Sequence, residues 1–183
     1  MKILIIAAHP DDEVLGVGGT IIKHVKSGDD VKIIILATGI MARRKSGIQN
    51  SVIYKPTNSE LLKMKKEMES LKKDAERAAK ILGVSKISFY DFPDNEMDSV
   101  PLLQIIKVVE NEIKNEKPDK IYTHYRNDLN IDHRITFNAC LTACRPITKK
   151  SIELISFETP SSTEWNYPNM FNPNYFIKID KHL

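Results

Sequence analysis

The chain has 183 residues, 42% of them hydrophobic and 28% charged, and a formal net charge of +3. That is an ordinary soluble composition for one domain with a sizeable core, and so small a positive excess argues against nucleic acid as a partner. No apolar run approaches membrane-spanning length, and Met1-Lys2-Ile3-Leu4-Ile5-Ile6 runs directly into a strand pattern rather than a signal peptide, so a cytoplasmic protein is expected.

Lys2 to Ala8 is a continuous apolar run rich in β-branched residues, the pattern of a strand covered on both faces. His9-Pro10-Asp11-Asp12-Glu13 follows it directly. Val14 to Lys26 reads as a helix closed by Gly28, with Gly16, Gly18 and Gly19 allowing close packing near its start. Val31 to Thr38 is a second buried strand. The long connection from Gly39 to Pro56, with Arg43 and Arg44, is of a length that often carries function in a compact domain.

Thr57 and Glu60 have capping-box spacing. The helix behind them carries Leu61, Met64, Met68, Leu71, Ala75, Ala78 and Leu82 as an expected core stripe, and Gly83 ends it. Lys86 to Tyr90 is a third strand, followed by a turn at Phe92-Pro93-Asp94-Asn95. A helix near Pro101 to Asn115 is expected to bury Leu102, Ile105, Ile106, Val109 and Ile113. Lys120 to Thr123 is a fourth strand, and a polar loop runs from His124 to His133. Arg134 to Cys144 reads as a helix, whose Cys140 and Cys144 are reduced thiols rather than a disulfide or a zinc pair. Ile152 to Phe157 is a fifth strand, Glu158 to Pro173 a polar loop, and Tyr175 to Ile179 a sixth strand.

Strands alternating with helices predict an α/β fold, a mostly parallel, Rossmann-like sheet with helices on both faces and one domain over residues 1–183. Ligands of such sheets bind beyond the carboxyl ends of the strands. His9, Thr38, Asp94, His124 and Glu158 each follow one of the first five strands, so the polar clusters converge on one edge.

Three consecutive acids at the mouth of a buried strand repel one another and resist desolvation. A divalent cation reverses that balance, with the neighbouring imidazole as a nitrogen ligand. His9 and Asp12, three apart across a turn, are two expected ligands. His133 is chosen as the third, with Asp132 beside it as the hydrogen-bond partner that orients a ligand. His24 and His182 read as surface residues. Two imidazoles, one carboxylate and an open position suit a catalytic zinc. Asp11, adjacent to a ligand, is the expected general base, and Glu13 reads as a helix cap.

Ala-His-Pro-Asp-Asp-Glu after the first strand, with Asp-x-Asn-x-Asp-His-Arg over Asp128 to Arg134, resembles the N-acetylglucosaminyl-phosphatidylinositol deacetylase superfamily, also called LmbE-like. The resemblance spans nearly the whole chain, including Leu82-Gly83 and Phe92-Pro93-Asp94. It implies a metal-dependent amidase that removes acetyl groups from N-acetylglucosamine-type sugars or their conjugates, with His9, Asp12 and His133 on zinc and Asp11 as base. Family members commonly carry a histidine where this chain has Asn130, and they continue past the sixth strand. Asn130 is therefore expected to position substrate or loop, and His124, with Asp128 and Asp132 raising its pKa, to supply the proton, with a role of only hydrogen-bonding the loop equally open. Arg43 and Arg44 are the expected contacts for a substrate phosphate or carboxylate, with a solvated role equally open. The short C-terminus predicts either a longer chain or a partner subunit over the last strand, which keeps a homo-oligomer open.

Two rivals stand beside the zinc de-N-acetylase. Fe(II) in a mononuclear oxygenase accepts the same two histidines and one carboxylate. A non-catalytic nucleotide-binding module is suggested by Gly16-x-Gly18-Gly19, although the spacing and the acids before it fit a pyrophosphate poorly.

Overall fold

The computed structural model describes residues 1–38, 56–146 and 151–179. Its order is β1 (Lys2–Ala7), α1 (Asp12–Lys26), β2 (Asp30–Ala37), α2 (Asn58–Ile81), β3 (Lys86–Phe92), α3 (Leu102–Glu116), β4 (Lys120–His124), α4 (Ile131–Ala143) and β5 (Glu153–Phe157). Among the described residues the strands form one five-stranded sheet in the order β3-β2-β1-β4-β5, with every pairing parallel. The expected α/β architecture is what the chain adopts.

The apolar strands are buried on both faces because both carry helices. Ile3, Ile5, Ile33 and Ile35 face α1 and the end of α2 through Val17, Ile21, Ala79 and Leu82. Leu4, Ile6, Ile34 and Leu36 face α3 and α4 through Ile105, Ile106, Val109, Ala139 and Cys140. The strand order reverses between β1 and β4, which makes their carboxyl ends the crevice of the fold. His9 follows one and His124 ends the other.

Several expectations shift in detail. The capping box of Thr57 and Glu60 is present and starts α2, but only Ala75 and Ala79 of that helix are buried, and Leu61 is exposed. The stripe meets the core through its last turns alone. Leu102 is likewise exposed, because it opens α3 before the helix reaches the sheet. Helix α4 begins at Ile131, three residues earlier than expected, because the Asn130 side chain accepts the Asp132 N–H as its N-cap. His24 is part-buried rather than a surface residue, held between Asp29 at 2.7 Å and the Tyr122 hydroxyl at 2.9 Å.

The expected sixth strand does not form: among the described residues, 175–179 pair with no strand. This segment lies over α1 instead. Ile177 joins the core on that face, Ile179 packs on Gly19, and Lys23 donates to the Lys178 carbonyl. The glycine makes this approach feasible, since a Cβ there would strike Ile179. With no last strand at 175–179, the premise for a covering helix or partner at that edge falls away.

Gly16 serves a similar close approach at the site end of the sheet. A Cβ there would fall against the Phe157 ring and 2.9 Å from the Glu158 carbonyl. Backbone carbonyls give little, so Gly16→Ala is expected to lower stability by about 1–3 kcal/mol. Denaturant titration checks this; an unchanged midpoint would mean that β5 and α1 separate freely.

Candidate metal centre

The site is built where β1 ends. Asp11 caps α1 with φ 108°, which lets the chain turn sharply from strand into helix and brings Asp12 back beneath His9. Asp12 Oδ2 accepts the His9 N–H at 2.9 Å. The same oxygen lies 3.5 Å from His9 Nδ1, 3.3 Å from His133 Nε2 and 3.4 Å from His124 Nε2. His9, Asp12 and His133 can each present a ligand atom within 4.8 Å of the others. Asp12 is nearly fully buried; that burial opposes its charge, but the three imidazoles hold the carboxyl well below its usual range.

These residues fit a divalent cation. His133 Nε2 is buried and has no hydrogen-bond partner, although a buried imidazole nitrogen ordinarily finds one. Its other nitrogen is held by Asp128 Oδ1 at 3.1 Å and faces Ser162 Oγ at 3.3 Å. That arrangement fixes the tautomer with the lone pair of Nε2 toward Asp12. His9 is fixed in the same way, its Nε2 lying 2.9 Å from Asp132 and 3.2 Å from Asp94. Asp132 is pinned in turn by the backbone N–H groups of Asn95 and Met97. Burial opposes a charge on His9, but Asp12, Asp132 and Asp94 outweigh it and lift the pKa to about 10.

Asp132 orients an imidazole of the cluster, but that imidazole is His9 rather than the adjacent His133. Successive residues on a helix point in different directions, so Asp132 faces the β3–α3 turn while His133 faces Asp12. His133 takes its partner from Asp128. Sequence reasoning also missed Ser162, Thr159 and Thr163, in the loop after β5. Ser162 and Thr163 hydroxyls donate to Asp128 Oδ2 at 3.1 and 2.6 Å. The available signal was a run of hydroxyl residues just past the fifth strand, on the edge where ligands bind.

Asp128→Ala is expected to reduce metal affinity by ~10–100-fold, because it releases the His133 tautomer and the loop together. A competitive chelator titration checks this, and unchanged affinity would show that His133 needs no such partner.

His124 departs from expectation. It is fully buried, its Nε2 accepts the Ala8 N–H at 2.9 Å, and its Nδ1 faces Thr159 Oγ1 at 3.3 Å. Burial outweighs the nearby Asp12 charge and drives its pKa down to about 3, not up. The ring is neutral, stacked on His133 with centroids 3.8 Å apart, and offers no atom to a substrate. Asp128 and Asp132, expected to charge it, are turned to His133 and His9.

A polar cavity of about 190 Å³ opens over the cluster, lined by His9, Asp11, Asp12, Asp94, Asn130 and His133 among others. Asn130 spends its amide on the fold, with Oδ1 capping α4 and Nδ2 donating to Asn95. A larger hollow of about 630 Å³ between α3, the end of α4 and Ile152 is lined by charged and apolar side chains, among them Lys107, Glu110, Ile113 and Arg145, and by no imidazole. Arg43 and Arg44 lie outside the described residues.

The description "PIG-L: GlcNAc-PI de-N-acetylase" matches residues 4–144. The chain belongs to that family.

It is 26% identical over 174 residues to the uncharacterized deacetylase YaiS of Escherichia coli (strain K12), covering 92% of this chain and 80% of that one. It is 29% identical to the diacetylchitobiose deacetylase of Thermococcus kodakarensis, covering 97% of this chain but only 63% of the relative's length. Among solved structures, the N,N′-diacetylchitobiose deacetylase of Pyrococcus horikoshii superposes with a TM-score of 0.68 at 22% identity, covering 98% of this chain and 64% of that one. The 4-carboxy-2-hydroxymuconate hydratase GalB of Pseudomonas putida KT2440 gives a TM-score of 0.70 at 20% identity, covering 98% and 73%. At such identities the superpositions establish the fold. Membership in the de-N-acetylase family, with relatives named deacetylases, makes the chain a hydrolytic enzyme. No described helix is long and apolar enough to cross a membrane.

Proposed function

We propose that this protein is a zinc-dependent de-N-acetylase acting on an N-acetylglucosamine-type sugar or sugar conjugate. The observation that carries the reading is the convergence of His9, Asp12 and the unpartnered His133 Nε2 at the floor of a polar cavity that Asp11 also lines. His9, Asp12 and His133 would hold the cation, which when bound supplies Lewis acidity to the acetyl carbonyl and to water. Asp11 takes the proton of the attacking water and returns it to the leaving amine, since His124 has no atom that faces the cavity. Asp132 and Asp128 keep the two imidazoles in their tautomers while charge builds nearby. Asn130 lines the cavity and retains one amide N–H beyond the one given to Asn95, which it would offer to the sugar.

Names of relatives support the substrate class, through a diacetylchitobiose deacetylase and a deacetylase from teicoplanin biosynthesis. Because the chain spans only 63% of the Thermococcus relative, the sugar itself is part of the proposal. The test is metal analysis followed by an acetate-release screen over N-acetylglucosamine, N,N′-diacetylchitobiose, nucleotide sugars and lipid conjugates. Metal-loaded protein that releases acetate from none of them would overturn the reading. Because the hydratase GalB shares this fold, a separate absorbance assay on unsaturated hydroxy acids tests for hydration, which releases no acetate. The same ligand set also accepts Fe(II), which anaerobic and aerobic assays with each metal distinguish.

A further inference from the structure

We infer that Glu13 is a positioning residue for Asp11: its carboxylate straps the Asp11 backbone into the turn that directs the Asp11 side chain to the cavity. Four observations carry this. Asp11 has φ 108° and ψ −29°, a conformation that side-chain-bearing residues avoid and that persists only where surroundings impose it. Asp11 occupies the N-cap position, and its carbonyl accepts the N–H groups of Val14 and Leu15 at 3.0 and 2.9 Å. Its side chain nevertheless makes no capping hydrogen bond, although Asp is among the best capping residues. Glu13 Oε2 instead accepts the Asp11 N–H at 3.1 Å.

The fourth observation is the placement of Glu13 itself. A glutamate in a first helical turn is favourable when it faces solvent. Glu13 is fully buried, and its Oε1 has no partner. Helix electrostatics does not account for a half-satisfied buried carboxyl, which is costly by itself. Its carboxyl is met by its own backbone N–H and by that of Asp11, both at the start of the turn. An ordinary cap would fold the Asp11 carboxylate back onto the helix N–H groups. With the turn held by Glu13, residue 11 lines the same cavity as His9, Asp12 and His133.

The kinetic arm of the test rests on the proposed hydrolysis; the spectroscopic arm does not. In ¹⁵N-labelled protein the Asp11 amide should exchange slowly with solvent in the wild type and rapidly in Glu13→Ala. With N,N′-diacetylchitobiose, Glu13→Ala should lower kcat by ~10²-fold at unchanged KM and metal content, the scale expected when a reacting group is displaced. Glu13→Gln keeps an oxygen acceptor and should retain most of kcat. Unchanged exchange in Glu13→Ala would overturn the inference. So would metal loss reversed by added zinc, which would place the effect on Asp12. Equal loss in Glu13→Gln and Glu13→Ala would also overturn it, because the charge and not the strap would then matter. Should Glu13→Ala not fold, the wild type decides: an Asp11 amide exchanging as fast as an exposed loop amide ends the case. Wild-type protein inactive on every acetylated sugar would count against the proposed reaction while leaving the exchange result standing.

Discussion

Asp11→Asn is expected to keep its fold and its metal and to lose turnover by ~10²–10⁴-fold, the usual contribution of a positioned base. Asp11 is exposed at the cavity wall, whereas Asp12, one residue on, is buried among three imidazoles. Under the proposed function the two neighbours would divide proton transfer and metal binding between them. A carboxamide of the same shape cannot accept the proton, but it leaves the ligand atoms where they are. Metal stoichiometry and single-turnover rates measured on the same sample check this. Should Asp11→Asn lose metal and regain activity in excess zinc, Asp11 is a ligand and the two roles are exchanged.

The second large effect is on metal uptake. His133→Ala is expected to weaken binding well beyond the ~10–100-fold assigned above to Asp128→Ala, because it removes a donor rather than the donor's support. The pH dependence carries a sign. In the metal-free protein His9 keeps its proton up to about pH 10, far above its ordinary 6.5, and His133 is shifted upward too by Asp12 and Asp128 against its burial. The proton on the Asp12 side of His9 competes directly with the cation. Apparent affinity should therefore rise about tenfold per pH unit for each proton displaced, from pH 6.5 upward, and flatten near 10. Calorimetry in buffers of different ionisation heat counts those protons. Binding that releases none between pH 7 and 8 would show that the imidazoles are already neutral, and that the acids around them do not hold the charge assigned to them.

The fold was largely legible in the chain because its signals are local. Ile3 to Ala8 and Val31 to Thr38 are too apolar to face water on either side, so helices on both faces and parallel pairing follow. The capping box at Thr57 and the glycine at position 83 mark their helix without reference to anything distant. The gathering of His9, Asp12 and His133 was legible for a related reason, since each sits at a strand end or a helix start where the topology directs side chains to one edge.

What sequence alone could not decide was who faces whom. Asp128 and Asp132 lie four apart, and their numbers do not reveal that one serves His133 and the other His9. That choice depends on Asn130 starting α4 early and on the Asn95 and Met97 amides capturing Asp132. His124 reads as an ionisable group at a strand end, yet the backbone N–H of Ala8, just past β1, and complete burial make it a neutral support. Tyr175 to Ile179 has a strand's composition, but Gly19 offers it a groove on α1 in place of a sheet edge. The sequence by itself determined the sheet, its helices and the residues that gather at its mouth, because hydrophobic period and capping act over a few residues. Tertiary structure alone decided tautomers, charge states and partners, because these depend on hydrogen bonds between groups as far as 123 residues apart and on which of them are shut away from water.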